Sequence, residues 1–108
     1  MHLLEKYVQG INSGKAATLA AVFAPDAIFD DEGTKKLFGK AVYLTSRKAI
    51  RRGFTFMMLF KPKASILSLK GDVMEYDMAV MGKKLQLKST LVKEENGLIK
   101  EFCCRLRA

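Results

Sequence analysis

The sequence predicts an α+β fold, with helices before Pro62 and an antiparallel sheet after it. Three observations carry this reading. Leu3, Leu4, Tyr7, Val8 and Ile11 recur at helical spacing. Beyond Pro62 the apolar pattern switches to period two, as in Met74, Tyr76, Met78 and Val80 set against Glu75, Asp77 and Ala79. Glu95-Asn96-Gly97 is a strong hairpin turn between two such runs.

Taken in order, Asn12-Ser13-Gly14 ends the first helix. A second helix is expected from about Lys15 to Phe23, burying Ala17, Leu19, Ala20 and Phe23, with Pro25 as its stop. Ala27 to Asp31 reads as a short strand, and Glu32-Gly33-Thr34 turns the chain. Lys36 to Thr45 reads as extended, with Gly39 at a bend. Ser46 is a natural N-cap for a long helix from Arg47 to Phe60, whose apolar stripe is Ala49, Ile50, Gly53, Phe54, Met57 and Met58. Four strands complete the chain: Lys63 to Lys70, Val73 to Met81, Lys84 to Lys93 and Leu98 to Arg107. On the third of these Leu85, Leu87, Ser89 and Leu91 share a face.

The bulk numbers fit one globular domain over residues 1–108. A chain of 108 residues that is 49% hydrophobic can bury a core without a metal or disulfide staple. Phe54 to Phe60, the longest apolar run, is interrupted by Thr55 and is too short to cross a bilayer, so no membrane partner is expected. Glu5, Gln9 and Asn12 break up the first residues, which do not read as a secretory leader. Cys103 and Cys104 are adjacent and point to opposite faces of an extended segment, a poor geometry for a disulfide, so a cytoplasmic location is expected. One histidine and two adjacent cysteines give no metal-ligand spacing, and no cofactor motif is present. The net charge of +8 favours anionic partners. Only Arg47, Lys48, Arg51 and Arg52 form a compact basic group, without interleaved aromatics, so they read as a solvated face or a nonspecific polyanion contact.

The stretch Lys6 to Gly14, the run Leu19 to Gly33, and the segment Lys48-Ala49-Ile50-Arg51-Arg52 together resemble the opening of nuclear transport factor 2-like domains. Within that superfamily the likeness is to ketosteroid isomerase-like and SnoaL-like members. The resemblance implies a cone-shaped, curved antiparallel sheet with three N-terminal helices on its concave face, around one pocket. It also implies a homodimer. Tyr7 falls where the isomerases carry an oxyanion-holding tyrosine, and Asp31 where they carry the proton-abstracting aspartate. The expected activity is proton transfer next to a carbonyl, with Asp31 as base, Tyr7 as donor and a small apolar or carbonyl-bearing molecule as ligand. The chemistry needs a carboxylate that titrates near working pH and a donor aimed where negative charge develops. Ketosteroid isomerase is a worked example of such pKa tuning.

The sequence departs from that pattern in the meander. The second, acidic oxyanion donor aligns with Leu91 counting forward from Gly82-Lys83, and with Ser89 counting back from Gly97. Neither is an acid, so an alternative is a non-catalytic dimerising or binding module on the same scaffold. Phe29, Phe54, Met57, Met74, Tyr76, Met78 and Phe102 are the remaining candidates to line a cavity, or else to fill a core. Strand alternation puts Phe29 with Asp31 and Ile28 with Asp30, and leaves open which pair faces inward. His2 reads as frayed, and Cys104 as buried filler beside Phe102 and Leu106.

Overall fold

The computed structural model of the protein describes residues 1–107. The first helix, α1 (Leu3–Ser13), buries the expected stripe Leu3, Leu4, Tyr7, Val8 and Ile11. His2 is its N-cap: Nδ1 accepts from the Leu4 N–H, and Glu5 Oε1 accepts from the His2 N–H. That closes a capping box with an imidazole in place of the usual hydroxyl or carboxylate. The His2 proton is thereby assigned to Nε2, which meets Asp72 Oδ1 at 3.0 Å. Gly14, at φ 73°, ends the helix in the left-handed conformation that glycine adopts without strain.

The second helix is shorter than its sequence suggests. It covers only Ala16–Ala20 (α2), Ala17 is exposed, and Phe23 opens a nine-residue strand, β1 (Phe23–Asp31). Pro25 therefore lies inside a strand. The pairing of β1 with the last strand, β6 (Leu98–Leu106), slips between Phe23 and Ile28, and this irregularity tolerates a residue with no N–H. The pairing is parallel, in a sheet whose other strand pairs among the described residues are antiparallel. The first and last strands meet without a hairpin between them, so their direction is free of the constraint a tight turn imposes.

Lys36 to Thr45 is not extended throughout. It holds a single helical turn, α3 (Lys35–Phe38), ended by Gly39 at φ 80°, and a three-residue edge strand, β2 (Val42–Leu44), antiparallel to β1. The long helix α4 (Arg47–Met57) starts where expected, with Ser46 Oγ accepting from the Ala49 N–H at 3.0 Å. It tightens into a 3₁₀ turn at Met58–Phe60, and Lys61 is left-handed at φ 51°. Pro62 keeps the helix from continuing, since its ring disfavours the right-handed helical conformation at the residue before it.

Strands β3 (Lys63–Lys70), β4 (Val73–Val80) and β5 (Lys83–Glu95) complete the sheet, whose order is β2-β1-β6-β5-β4-β3. The helices lie on its concave face, α1 against β3 and β5 and α4 against β1. Met74, Tyr76, Met78 and Val80 point to that side and are buried, as are Leu85, Leu87, Ser89 and Leu91. The other face is polar: Glu75 pairs with Lys88, and Lys84 and Arg107 make ion pairs with Asp77. Among the described residues no helix is long and apolar enough to cross a membrane.

Candidate functional site

At one end of the core the packing opens into a cavity of about 400 Å³, bounded by β1, β2, α3, α4 and the ends of β4 and β5 that meet at Met81-Gly82. Tyr7, Phe29, Phe54 and Met57 form part of its wall, with Met78, Leu85 and Leu87 from the sheet. Asp31 and Tyr7 both line it.

Asp31 reaches the cavity because β1 alternates. Phe29 and Asp31 share the inner face, and Asp30 turns outward to Arg105, with Oδ2 accepting from Nη2 at 2.8 Å. Arg105 Nε also meets Glu32 Oε1 at 3.1 Å, so the guanidinium ties down the outer carboxylates and leaves Asp31 on the cavity side. Asp31 Oδ1 accepts from the Gly33 N–H at 2.6 Å, an Asx turn that fixes the carboxylate as the chain leaves the strand. Burial pushes the Asp31 carboxyl up to about 6, although the Gly33 N–H favours the charged form. A carboxylate titrating there exchanges its proton close to neutrality, the range a general base needs.

Tyr7 sits in a cluster of aromatic rings. Its centroid is 4.6 Å from that of Phe102, and it meets Phe23 and Phe54 edge to face. Burial raises its phenol well above its ordinary value, the Asp31 charge raises it further, and the Tyr76 hydroxyl offsets this in part. Behind Tyr7 lies a buried polar chain. The Tyr76 hydroxyl bonds Ser89 Oγ at 2.7 Å and lies 3.5 Å from Cys104 Sγ. Cys104 pairs in register with Asp31 across β1 and β6, and burial and that carboxylate push its thiol up. It is thus a protonated thiol in the polar cluster, which gives it polar neighbours that a filler reading lacks.

Several expected lining residues lie elsewhere. Met74, Tyr76, Ser89, Leu91 and Phe102 are buried and do not reach the cavity, because the sheet packs shut against α1 at their level. Neither candidate for the second oxyanion donor faces the cavity, so Tyr7, Thr34 and Lys40 are its side-chain donors. Leu37, Phe38, Val42, Leu44 and Phe56 complete the wall. Their signal was the apolar alternation of Val42 and Leu44, and the pair Leu85 and Leu87 on the same face as Ser89.

Three of the basic group, Arg47, Lys48 and Arg51, border one shallow hollow with Pro25, apart from the cavity, and Arg52 lies outside it; Arg47 Nε also donates to the Phe23 carbonyl at 2.8 Å. Among the described residues no cluster of three potential metal ligands occurs, and both cysteines are free.

No family model matches the sequence, and no curated protein does. Solved structures do. A Catenulispora acidiphila protein with a ketosteroid isomerase-like fold, solved with trimethylamine, superposes at TM-score 0.76 and 14% identity, over 96% of this chain and 84% of that one. An NTF2-like protein of unknown function from Cytophaga hutchinsonii gives 0.72 at 14% identity, over 96% and 86%. A candidate polyketide cyclase from Sinorhizobium meliloti gives 0.73 at 19% identity, over 95% and 93%. Likeness at 14 to 19% identity speaks for architecture and leaves the chemistry to the site. The chain thus has the fold of nuclear transport factor 2-like and ketosteroid isomerase-like proteins.

Proposed function

We propose that the protein binds a small apolar, carbonyl-bearing molecule in this cavity and moves a proton next to the carbonyl. The observation that carries the reading is the approach of Asp31 and Tyr7 to one apolar cavity, with the Asp31 carboxyl pushed up to about 6. A volume of about 400 Å³ lies in the range of small-molecule sites. In the reaction Asp31 takes a proton from the carbon beside the carbonyl, and the C–H electron pair becomes the enolate. Tyr7 donates a hydrogen bond to the enolate oxygen, and the neutral Asp31 returns the proton to the same or a conjugated carbon. Tyr76 and Ser89 support Tyr7 from behind. Without a second acidic donor, turnover is expected to fall on the order of 10²–10³ below that of a site with two.

The missing donor also favours a second reading, a ligand-binding module without turnover. Deuterium uptake at the α-carbon of decalone, followed by NMR, separates the two. Catalysed uptake lost in both Asp31→Asn and Tyr7→Phe supports the enzyme. Binding of 2-naphthol without catalysed uptake supports the module, and neither uptake nor binding refutes both. A homodimer through the polar sheet face and a cytoplasmic location, which suits two free thiols, complete the proposal.

A further inference from the structure

The cavity wall grades from buried to exposed. Tyr7, Phe29 and Leu87 lie at its closed end, whereas Phe38, Lys40 and Phe56 are exposed, so the mouth lies between α3 and α4. Three aromatic rings gather there. Phe38 and Phe56 are 5.8 Å apart and Phe56 and Phe60 5.2 Å, and Phe38 and Phe56 leave 39% and 51% of their surfaces open to water. Met81, 46% exposed, belongs to the neighbouring β4–β5 turn, which Lys83 Nζ ties to α3 by donating to the Lys36 carbonyl at 3.3 Å.

The charge around this patch has one sign. From Gly33 to Gly71, the stretch that supplies α3, β2, α4 and β3, there is no Asp or Glu and there are ten Lys and Arg. Among the described residues Lys36, Lys40, Lys61 and Lys83 have no ion-pair partner. Exposed aromatic and aliphatic side chains set among unpaired lysines gain from burial at a hydrocarbon boundary, while the ammonium groups gain from anionic headgroups.

We propose that the cavity mouth docks on an anionic lipid bilayer surface, with Phe38 and Phe56 entering the headgroup boundary and Lys36 and Lys40 facing acidic lipids. An apolar ligand then passes between hydrocarbon and cavity without crossing water. The absence of a spanning segment, on which the expectation of no membrane partner rested, does not bear on peripheral docking. Nucleic acid is the weaker fit, because Phe38, Phe56 and Phe60 pack on one another rather than standing apart to take successive bases, and exposed Met81 and the apolar cavity behind them suit hydrocarbon. The inference does not depend on turnover: ligand binding in free solution tests the cavity separately.

Cosedimentation of the full chain with vesicles of phosphatidylcholine, with and without phosphatidylglycerol, tests it. Binding is expected to strengthen at least about tenfold with the acidic lipid and to fall with salt. Phe38→Ser with Phe56→Ser is expected to weaken it about tenfold while leaving retention on heparin unchanged. Since the chain has no tryptophan, Phe56→Trp supplies a single indole reporter whose emission should shift to the blue on acidic vesicles. Circular dichroism checks that each variant is folded; if the double serine variant is not, the indole reporter decides alone. Equal binding to both vesicle types, an unshifted indole emission on acidic vesicles, or a shift that self-association produces without lipid would overturn the proposal. Tight binding to heparin or RNA with none to vesicles would also overturn it.

Discussion

Replacing Asp31 by Asn should make the protein more stable at neutral pH, which is the reverse of what deleting an ordinary hydrogen-bonded carboxylate does. The Asp31 carboxyl moves from its ordinary 3.8 to about 6 on folding, chiefly through burial. A pKa raised in the folded state means that folding takes up a proton. The contribution of Asp31 to stability is therefore greatest below about pH 4, declines as pH rises toward 6, and is flat above. The shift corresponds to about 3 kcal/mol of cost at pH 8, an upper figure because Asp31 is only partly buried. Asn keeps an oxygen for the Gly33 N–H, so the turn survives while the charge is lost. Urea unfolding followed by circular dichroism, for both proteins from about pH 4 to about pH 8, should give Asp31→Asn an advantage of about 2–3 kcal/mol at the upper end and almost none at the lower. A difference that does not change with pH, or a variant less stable than wild type at pH 8, would refute the reasoning.

Three further expectations concern the core and the assembly. Ser89→Ala leaves the buried Tyr76 hydroxyl without its 2.7 Å partner and should cost about 1–3 kcal/mol in the same unfolding assay. Gly10→Ala would put a Cβ 2.7 Å from Leu19 Cα, where backbone must move; a loss of about 1–3 kcal/mol is expected, and an unchanged midpoint would contradict the packing of α1 on α2. Sedimentation at micromolar concentration should show a dimer that Glu75→Lys with Asp77→Lys disperses, and a 12.1 kDa species alone would contradict the sheet-face assembly.

The parts of the fold written in local pattern were legible. The α1 stripe, the Ser46 cap and the β4 alternation each depend on neighbours in sequence, and the structure follows them. Pro25 misled because helix termination and strand irregularity both accept proline; the partner that decided was Ile99 on β6, whose N–H donates to the Val22 carbonyl. The parallel β1–β6 pair was invisible for the same reason, since nothing in either segment states which distant strand it meets. At the site, the inward turn of Asp31 became clear only once Arg105 was placed beside Asp30. The cavity wall was assigned too deep in the sheet. Alternation put Leu85, Leu87, Ser89 and Leu91 on one face, but how far along that face α1 packs is a property of the whole fold.

The central claim is that Asp31 titrates close to neutrality inside a cavity that accepts an apolar ligand. An NMR titration of the Asp31 side-chain carboxyl carbon, without and with saturating 2-naphthol, tests it most directly. The account predicts a midpoint at about 6 in the free protein, moved by the ligand because the added apolar group excludes water from the carboxylate. A midpoint near 4, unmoved by ligand, would contradict it.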